Sequence, residues 1–284
     1  MEKKEKKDQF VIAYIADFEQ TDTVLSYAVH MAQMLQKGMI LLHICDPKYS
    51  SLSPDEAEPK LQQLRDKTIS FFNFHFSISY AALKGETAKV IDALPTLLGA
   101  VVIVAQADAH ARRSNALSSR AILKNFSGSK TAFLVAQEPL NDPSRMKEIA
   151  MSLDFKKESK DKFIWSSYFP RFGGSRMNVL YYDYKDEFLR SKWYANMTQL
   201  HKLYNGLNIS FEPHIIESKS TYMDVNALRY ASEKGYGMLI AVTTKEKDGL
   251  EFFVGVQEER TIVNKEHIPI LFLNPREDLY VLCD

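Results

Sequence analysis

Apolar and polar positions alternate along this chain in blocks of two kinds. Phe10-Val11-Ile12-Ala13-Tyr14-Ile15-Ala16 is short and almost wholly apolar, which predicts a strand buried on both faces of a parallel sheet. Val24, Leu25, Ala28, Met31, Ala32 and Leu35 then recur three and four apart, the stripe of an amphipathic helix, and Gly38 sits where that helix should stop. Met39 to Ile44 predicts a second strand. A loop marked by Pro47, Pro54 and Pro59 leads to a helix through Leu61, Leu64 and Ile69. A third strand is expected near Phe74 to Leu83. Gly85 breaks it, and Val90, Ile91, Leu94 and Leu98 outline a helix that Pro95 should kink or end. Ala100 to Ala105 and Ala132 to Ala136 predict the fourth and fifth strands.

The same succession then begins again. Glu138 to Pro143 reads as a linker. Ile149 to Phe155 echoes Ile12 to Phe18, and both end in Asp-Phe. Met177 to Tyr182, Asn208 to Ile216, Met238 to Val242 and Ile268 to Leu273 echo the next four strands, and Thr221-Tyr222-Met223-Asp224 has capping-box form. Five elements in order, at one offset of roughly 137 to 139 residues, predict an internal duplication. Strands alternating with helices imply βαβ units. The expected architecture is α/β: two tandem doubly wound, Rossmann-like domains, each with a five-stranded parallel sheet. They span residues 9–137 and 146–284, with a linker at 138–145. Leu279 to Asp284 is apolar enough for an extra strand.

Composition narrows the function classes. Thirty-six basic residues balance 36 acidic ones, so no basic excess points to nucleic acid or a membrane surface. Cys45 and Cys283 are too few for a disulfide framework in 284 residues. They read as free thiols in a reducing cytoplasm. The charged opening, Glu2 to Asp8, predicts a solvated tail with no signal peptide.

In open α/β sheets, ligands sit beyond the carboxyl ends of the strands, where strand order reverses. The candidates are therefore Asp17, His43 to Asp46, Gly85 and Ala105 to Ser119, with Asp154, Tyr182 to Tyr184, Glu217 and Thr243 to Val256 in the second copy. The opening strand with its Asp, Leu42-His43-Ile44, and Gly85-Glu86 together make the first copy resemble the universal stress protein domain. Nucleotide-binding members carry G-x-x-G-x9-G-[ST] after the fourth strand, where glycines and exposed N–H groups hold phosphates. That register falls on Ala105, Asp108, Ser118 and Ser119: the spacing survives and all three glycines are gone. Asp108 sets a carboxylate where a triphosphate would lie. In the second copy the register meets Thr243, Glu246, Val256 and Gln257, with Gly255 one place off. The resemblance thus implies a nucleotide site at Asp17, Ile44, Ala105, Asp108, Ser118 and Ser119, with Asp154 matching Asp17, and ATP or AMP as its ligand if any is held.

Plainer readings stand beside these. Asp17 could cap the following helix, His43 could be a satisfied buried histidine, and Arg112 and Arg113 a solvated loop. Trp165, Tyr168 and Phe169 read as core, and Gly173-Gly174 as a helix end. No metal-ligand spacing, nucleophile elbow or Walker loop occurs. The leading expectation is a non-enzymatic stress-response or regulatory protein whose two domains form an internal pseudo-dimer, their fifth strands facing each other. The alternative is an ATP or AMP sensor, or a slow ATPase, with one site in the first domain. An enzyme is disfavoured, a homodimer of the whole chain and an unidentified protein partner are left open, and neither nucleic acid nor membrane is expected.

Overall fold

The computed structural model describes residues 8–72, 74–112, 114–217, 223–243 and 257–275. The elements of the first half are β1 (Phe10–Tyr14), α1 (Asp22–Leu35), β2 (Gly38–Cys45), α2 (Pro54–Phe72), β3 (Ile78–Lys84), α3 (Thr87–Leu97), β4 (Ala100–Gln106), α4 (Ser119–Phe126) and β5 (Ala132–Ala136). Those of the second half are β6 (Glu148–Leu153), α5 (Asp161–Tyr168), β7 (Arg176–Tyr181), α6 (Glu187–Gly206), β8 (Phe211–Ile215), α7 (Met223–Glu233), β9 (Met238–Val242), α8 (Gln257–Ile262) and β10 (Ile270–Leu273).

All ten strands lie in one sheet, in the order β3-β2-β1-β4-β5-β10-β9-β6-β7-β8. Pairing is parallel within each half. Where the halves meet, β5 and β10 run antiparallel, with Val135, Leu134 and Phe133 opposite Ile270, Leu271 and Phe272. Every residue of both seam strands is buried. Apart, each would be an open apolar edge, which proteins rarely leave uncovered. The outer edges are β3 and β8, which are less buried. Pro213 in β8 suits an edge, since it cannot donate to a further strand.

Each face of the sheet carries one continuous core. On one face Val24, Leu61, Phe163 and Leu200 from α1, α2, α5 and α6 pack over Leu134, Met151 and Leu271. On the other, Ile91, Ile122, Leu228 and Ile262 from α3, α4, α7 and α8 pack over Phe133, Leu239 and Phe272. Both cores cross the seam, so burial continues from one half into the other.

Several local expectations change. Helix α1 ends not at Gly38 but at Gln36, in left-handed conformation with φ of 53°. Gly38 instead opens β2, where a Cβ would lie 2.5 Å from the Ser77 hydroxyl and 2.9 Å from the Phe10 ring. Close approach, not helix termination, demands glycine there. The loop read through Pro59 ends at Ser53, because Pro54 suits the first turn of a helix and Ser53 and Glu56 form a reciprocal capping box. Strand β3 starts at Ile78; Phe74 is buried in the core ahead of it. Residues 138–145 are tied down: Leu140 N–H donates to Ser26 Oγ at 3.0 Å, and Asp142 caps a 3-10 turn over Pro143–Lys147. Beside them, Gln137 exchanges two hydrogen bonds with the Asn264 backbone, at 3.0 and 2.6 Å.

Cys45 is buried. Trp165 is partly buried against the core, Phe169 is fully enclosed, and Gly174 ends the helical segment in left-handed conformation. Leu279 to Asp284, Cys283 and the Thr221-Tyr222 start of the expected capping box lie outside the described residues. Among those described, no helix is long and apolar enough to cross a membrane.

Candidate functional site

Parallel pairing sends the carboxyl ends of β1, β2, β3 and β4 to one edge of the sheet. Strand order reverses between β1 and β4 in the first half and between β6 and β9 in the second. A crevice opens at each reversal, because the two connections leave in opposite directions.

At the first crevice, side chains at the strand ends are bonded to one another. Tyr14 ends β1 with its ring edge-on to Phe126, centroids 5.6 Å apart. Its hydroxyl faces Thr87 and Asp46, and burial pushes the phenol well above its ordinary value. Asp46, just past β2, reaches the start of α3: one carboxylate oxygen accepts from the Thr87 N–H and hydroxyl, both at 2.8 Å, and the other from Lys48 N–H at 3.0 Å. Burial alone would raise the Asp46 carboxyl, but these hydrogen bonds outweigh it and hold the group below its usual value. His43 is the satisfied buried histidine: Nδ1 donates to the Ile15 carbonyl at 2.7 Å, which leaves Nε2 to accept from Ser50 Oγ at 2.8 Å. Burial lowers its basicity.

The loop after β4 is likewise bonded to itself. Strand β4 runs to Gln106, so Ala105 lies inside the sheet opposite Val135, fully buried. It does not open the loop, as the glycine register expects. Asp108 N–H donates to Leu117 O at 3.0 Å, and its carboxylate accepts from His110 N–H at 2.8 Å. Ser118 is the N-cap of α4: its Oγ accepts from Ala121 N–H at 3.2 Å and donates to Asn115 O at 2.9 Å. Ser119 opens the helix behind it. Across the crevice, Gln106 Nε2 donates to Gln20 Oε1 at 3.3 Å, while Gln106 Oε1 is buried without a partner among the described residues.

The six sequence-predicted residues thus gather at one end of the sheet, in different settings. Ile44 and Ala105 are buried within strands. Asp17 and Asp108 lie on the flanking loops, and Ser118 and Ser119 start α4. Asp17 does not cap α1, which begins at Asp22 behind Thr21; its carboxylate accepts from Glu19 N–H at 2.9 Å in an Asx turn. Arg112 is exposed.

The second crevice is built differently. Phe10 and Glu148 hold the same place, each opposite the first residue of its neighbouring strand. Counting on, Tyr14 corresponds to Ser152, and Asp154 to Ala16, one residue before Asp17. Small Ser152 leaves room that Lys162 of α5 fills. This lysine is 3% exposed, and its Nζ donates to Ser152 Oγ at 3.2 Å. Burial depresses the Lys162 ammonium below its ordinary value, against the opposing pull of Asp154, Asp224 and Asp161. Asp154 accepts from Ser159 Oγ at 2.5 Å and Lys156 N–H at 3.0 Å. Thr243 is buried and donates to Asn274 Oδ1 at 2.6 Å. Gln257 opens α8 as Ser119 opens α4. Glu246, Gly255 and Val256 lie outside the described residues.

Sequence reasoning missed Tyr14, Thr87, Gln106 and Lys162. Lys162 did carry a signal: it shares the spacing of Phe163, Ser166 and Phe169, the buried face of its helix. Among the described residues, no group of three or more His, Cys, Asp or Glu side chains could hold a metal ion.

No family model matches the chain, and no curated protein sequence matches it. Solved structures do. A universal stress protein from Archaeoglobus fulgidus DSM 4304 superposes with a TM-score of 0.66 at 12% identity, covering 95% of this chain and 97% of its own. A functionally unknown protein from Pseudomonas aeruginosa PAO1 gives a TM-score of 0.62 at 14% identity, covering 97% and 95%. The cytoplasmic domain of a prokaryotic cation chloride cotransporter gives 0.57 at 9% identity, covering 97% and 99%. The chain therefore has the fold seen in universal stress proteins, an α/β sheet with helices on both faces, over nearly its whole length.

Proposed function

We propose that this chain is a non-enzymatic universal stress protein, a duplicated binding or regulatory module whose crevices hold no nucleoside triphosphate. The carrying observation is the loop after β4. The groups that would meet phosphate there are already bonded: Asp108 N–H to Leu117 O, and Ser118 Oγ to Asn115 O and Ala121 N–H. The Asp108 carboxylate adds negative charge beside them, and the Tyr14 ring is packed at the end of β1. Opening the loop would expose buried Ala116 and Leu117. The duplicated units are residues 9–137 and 146–284, joined by 138–145 and acting as an internal pseudo-dimer through β5 and β10.

Calorimetric and thermal-shift titration with ATP and AMP, with Mg²⁺, tests this reading. No adenine-dependent binding is expected at millimolar nucleotide. Saturable ATP or AMP binding that inorganic pyrophosphate does not reproduce would contradict it and favour a nucleotide sensor.

A further inference from the structure

Beside the second crevice, on the α6 side, lies a cleft of about 490 Å³ between the segment after β6 and the middle of α6. That volume is typical of small-molecule sites, which span roughly 300–1,000 Å³. Four lysines line it, Lys156, Lys157, Lys160 and Lys192, against one carboxylate, Glu158. In a chain whose charges sum to zero, this is a local excess of positive charge.

Three of the four lysines carry the excess. Lys156, Lys160 and Lys192 form no ion pair among the described residues. Asp154, two residues before Lys156, is engaged by Ser159 Oγ and by the Lys156 backbone, and Asp161 follows Lys160. The cleft is also held in shape. Buried Asn196 of α6 donates from Nδ2 to the carbonyls of Asp154 and Lys156, at 2.9 and 2.8 Å, which ties the lysine segment to the helix. Phe155 supplies an apolar wall, its ring edge-on to Tyr184. The corresponding turn of the first half, Asp17 to Gln20, carries Asp17 and Glu19 and no lysine, so the charge is peculiar to the second half. Lys192 Nζ lies over the Phe188 ring, 4.3 Å from its centroid. Several lysines lining one partly walled cleft attract a compact, multiply charged anion more strongly than a single surface lysine does.

We propose that this cleft binds a small multivalent oxyanion of the polyphosphate class. The site lies apart from the loop after β4 and asks for no adenine. Its test therefore separates from that of the nucleotide reading.

The experiment is calorimetry of the full chain with inorganic pyrophosphate at 50 and 300 mM NaCl, with citrate as a non-phosphate trianion. Two variants are compared: K160Q/K192Q in the cleft, and K48Q/K124Q, which removes the same charge from the first half. Saturable pyrophosphate binding is expected, weakened about tenfold or more by the higher salt, as for exposed charges. It should weaken about tenfold or more in K160Q/K192Q and remain unchanged in K48Q/K124Q. No saturable binding, equal loss in both variants, or citrate binding as tightly as pyrophosphate would overturn the proposal.

Discussion

Phe133 and Phe272 stack across the seam between the two halves, centroids 5.2 Å apart and planes 23° from parallel. They are directly opposed in the antiparallel β5–β10 pair, and both are fully buried. Phe126 packs on Phe133, and Tyr14 on Phe126. An aromatic chain thus runs from the seam to the first crevice.

Truncating either seam ring should be costly. Phe272→Ala removes a fully buried aromatic, and the expected loss is about 3–5 kcal/mol. Because the rings touch, the double variant with Phe133→Ala should lose less than the sum of the two singles. Urea unfolding of the four proteins checks this. Strict additivity would mean that the stacked contact contributes nothing of its own.

Asp46 holds β2 to α3 through Thr87, so Asp46→Ala leaves a buried N–H and hydroxyl without their acceptor. The expected cost is about 2 kcal/mol at pH 7. Its carboxyl lies below its ordinary value in the folded chain. The stabilisation is therefore complete above the unfolded value of 3.8 and fades as pH falls through the lower folded value. Denaturant titrations between pH 7 and 3 should show the variant losing less stability on acidification than the natural chain. Parallel pH profiles would contradict the assignment.

Lys162 gives a slope of the same sign in an alkaline range. Its folded value is depressed below 10.5, so between the two values the unfolded chain binds more protons and stability rises with pH. Lys162→Met should remove that rise and leave a chain at least as stable at pH 7, since a buried ammonium with a hydroxyl partner gives way to an apolar side chain. Unfolding free energies from pH 7 up to the ordinary lysine value of 10.5 decide it. A natural chain whose stability is flat over this range, or a variant that keeps the rise, would contradict the burial argument.

The sheet is readable from sequence because its inner strands are buried on both faces and stand out as unbroken apolar runs such as Ala100 to Ala105. The ends of elements were harder. Gly38 looks the same in sequence whether it stops a helix or lets Phe10 and Ser77 come close. Pro54 reads as loop in sequence because its neighbour Ser53 reveals itself as a cap only through Glu56. At the candidate site, spacing located the α4 start at Ser118 and Ser119, since a serine before a helix is a local signal. It could not show that β4 continues past Ala105, or that Tyr14 and Lys162 reach into the crevices. Those depend on packing between segments distant in sequence.

Under the proposed function, the first crevice holds no nucleotide. Native mass spectrometry of the protein as purified from cells, with chromatographic analysis of whatever is released on denaturation, tests it most directly. The account predicts the bare chain mass of 32.6 kDa per subunit and no released ATP or AMP. A stoichiometric adenine nucleotide, lost on replacing Ser118 and Ser119 by alanine, would contradict it.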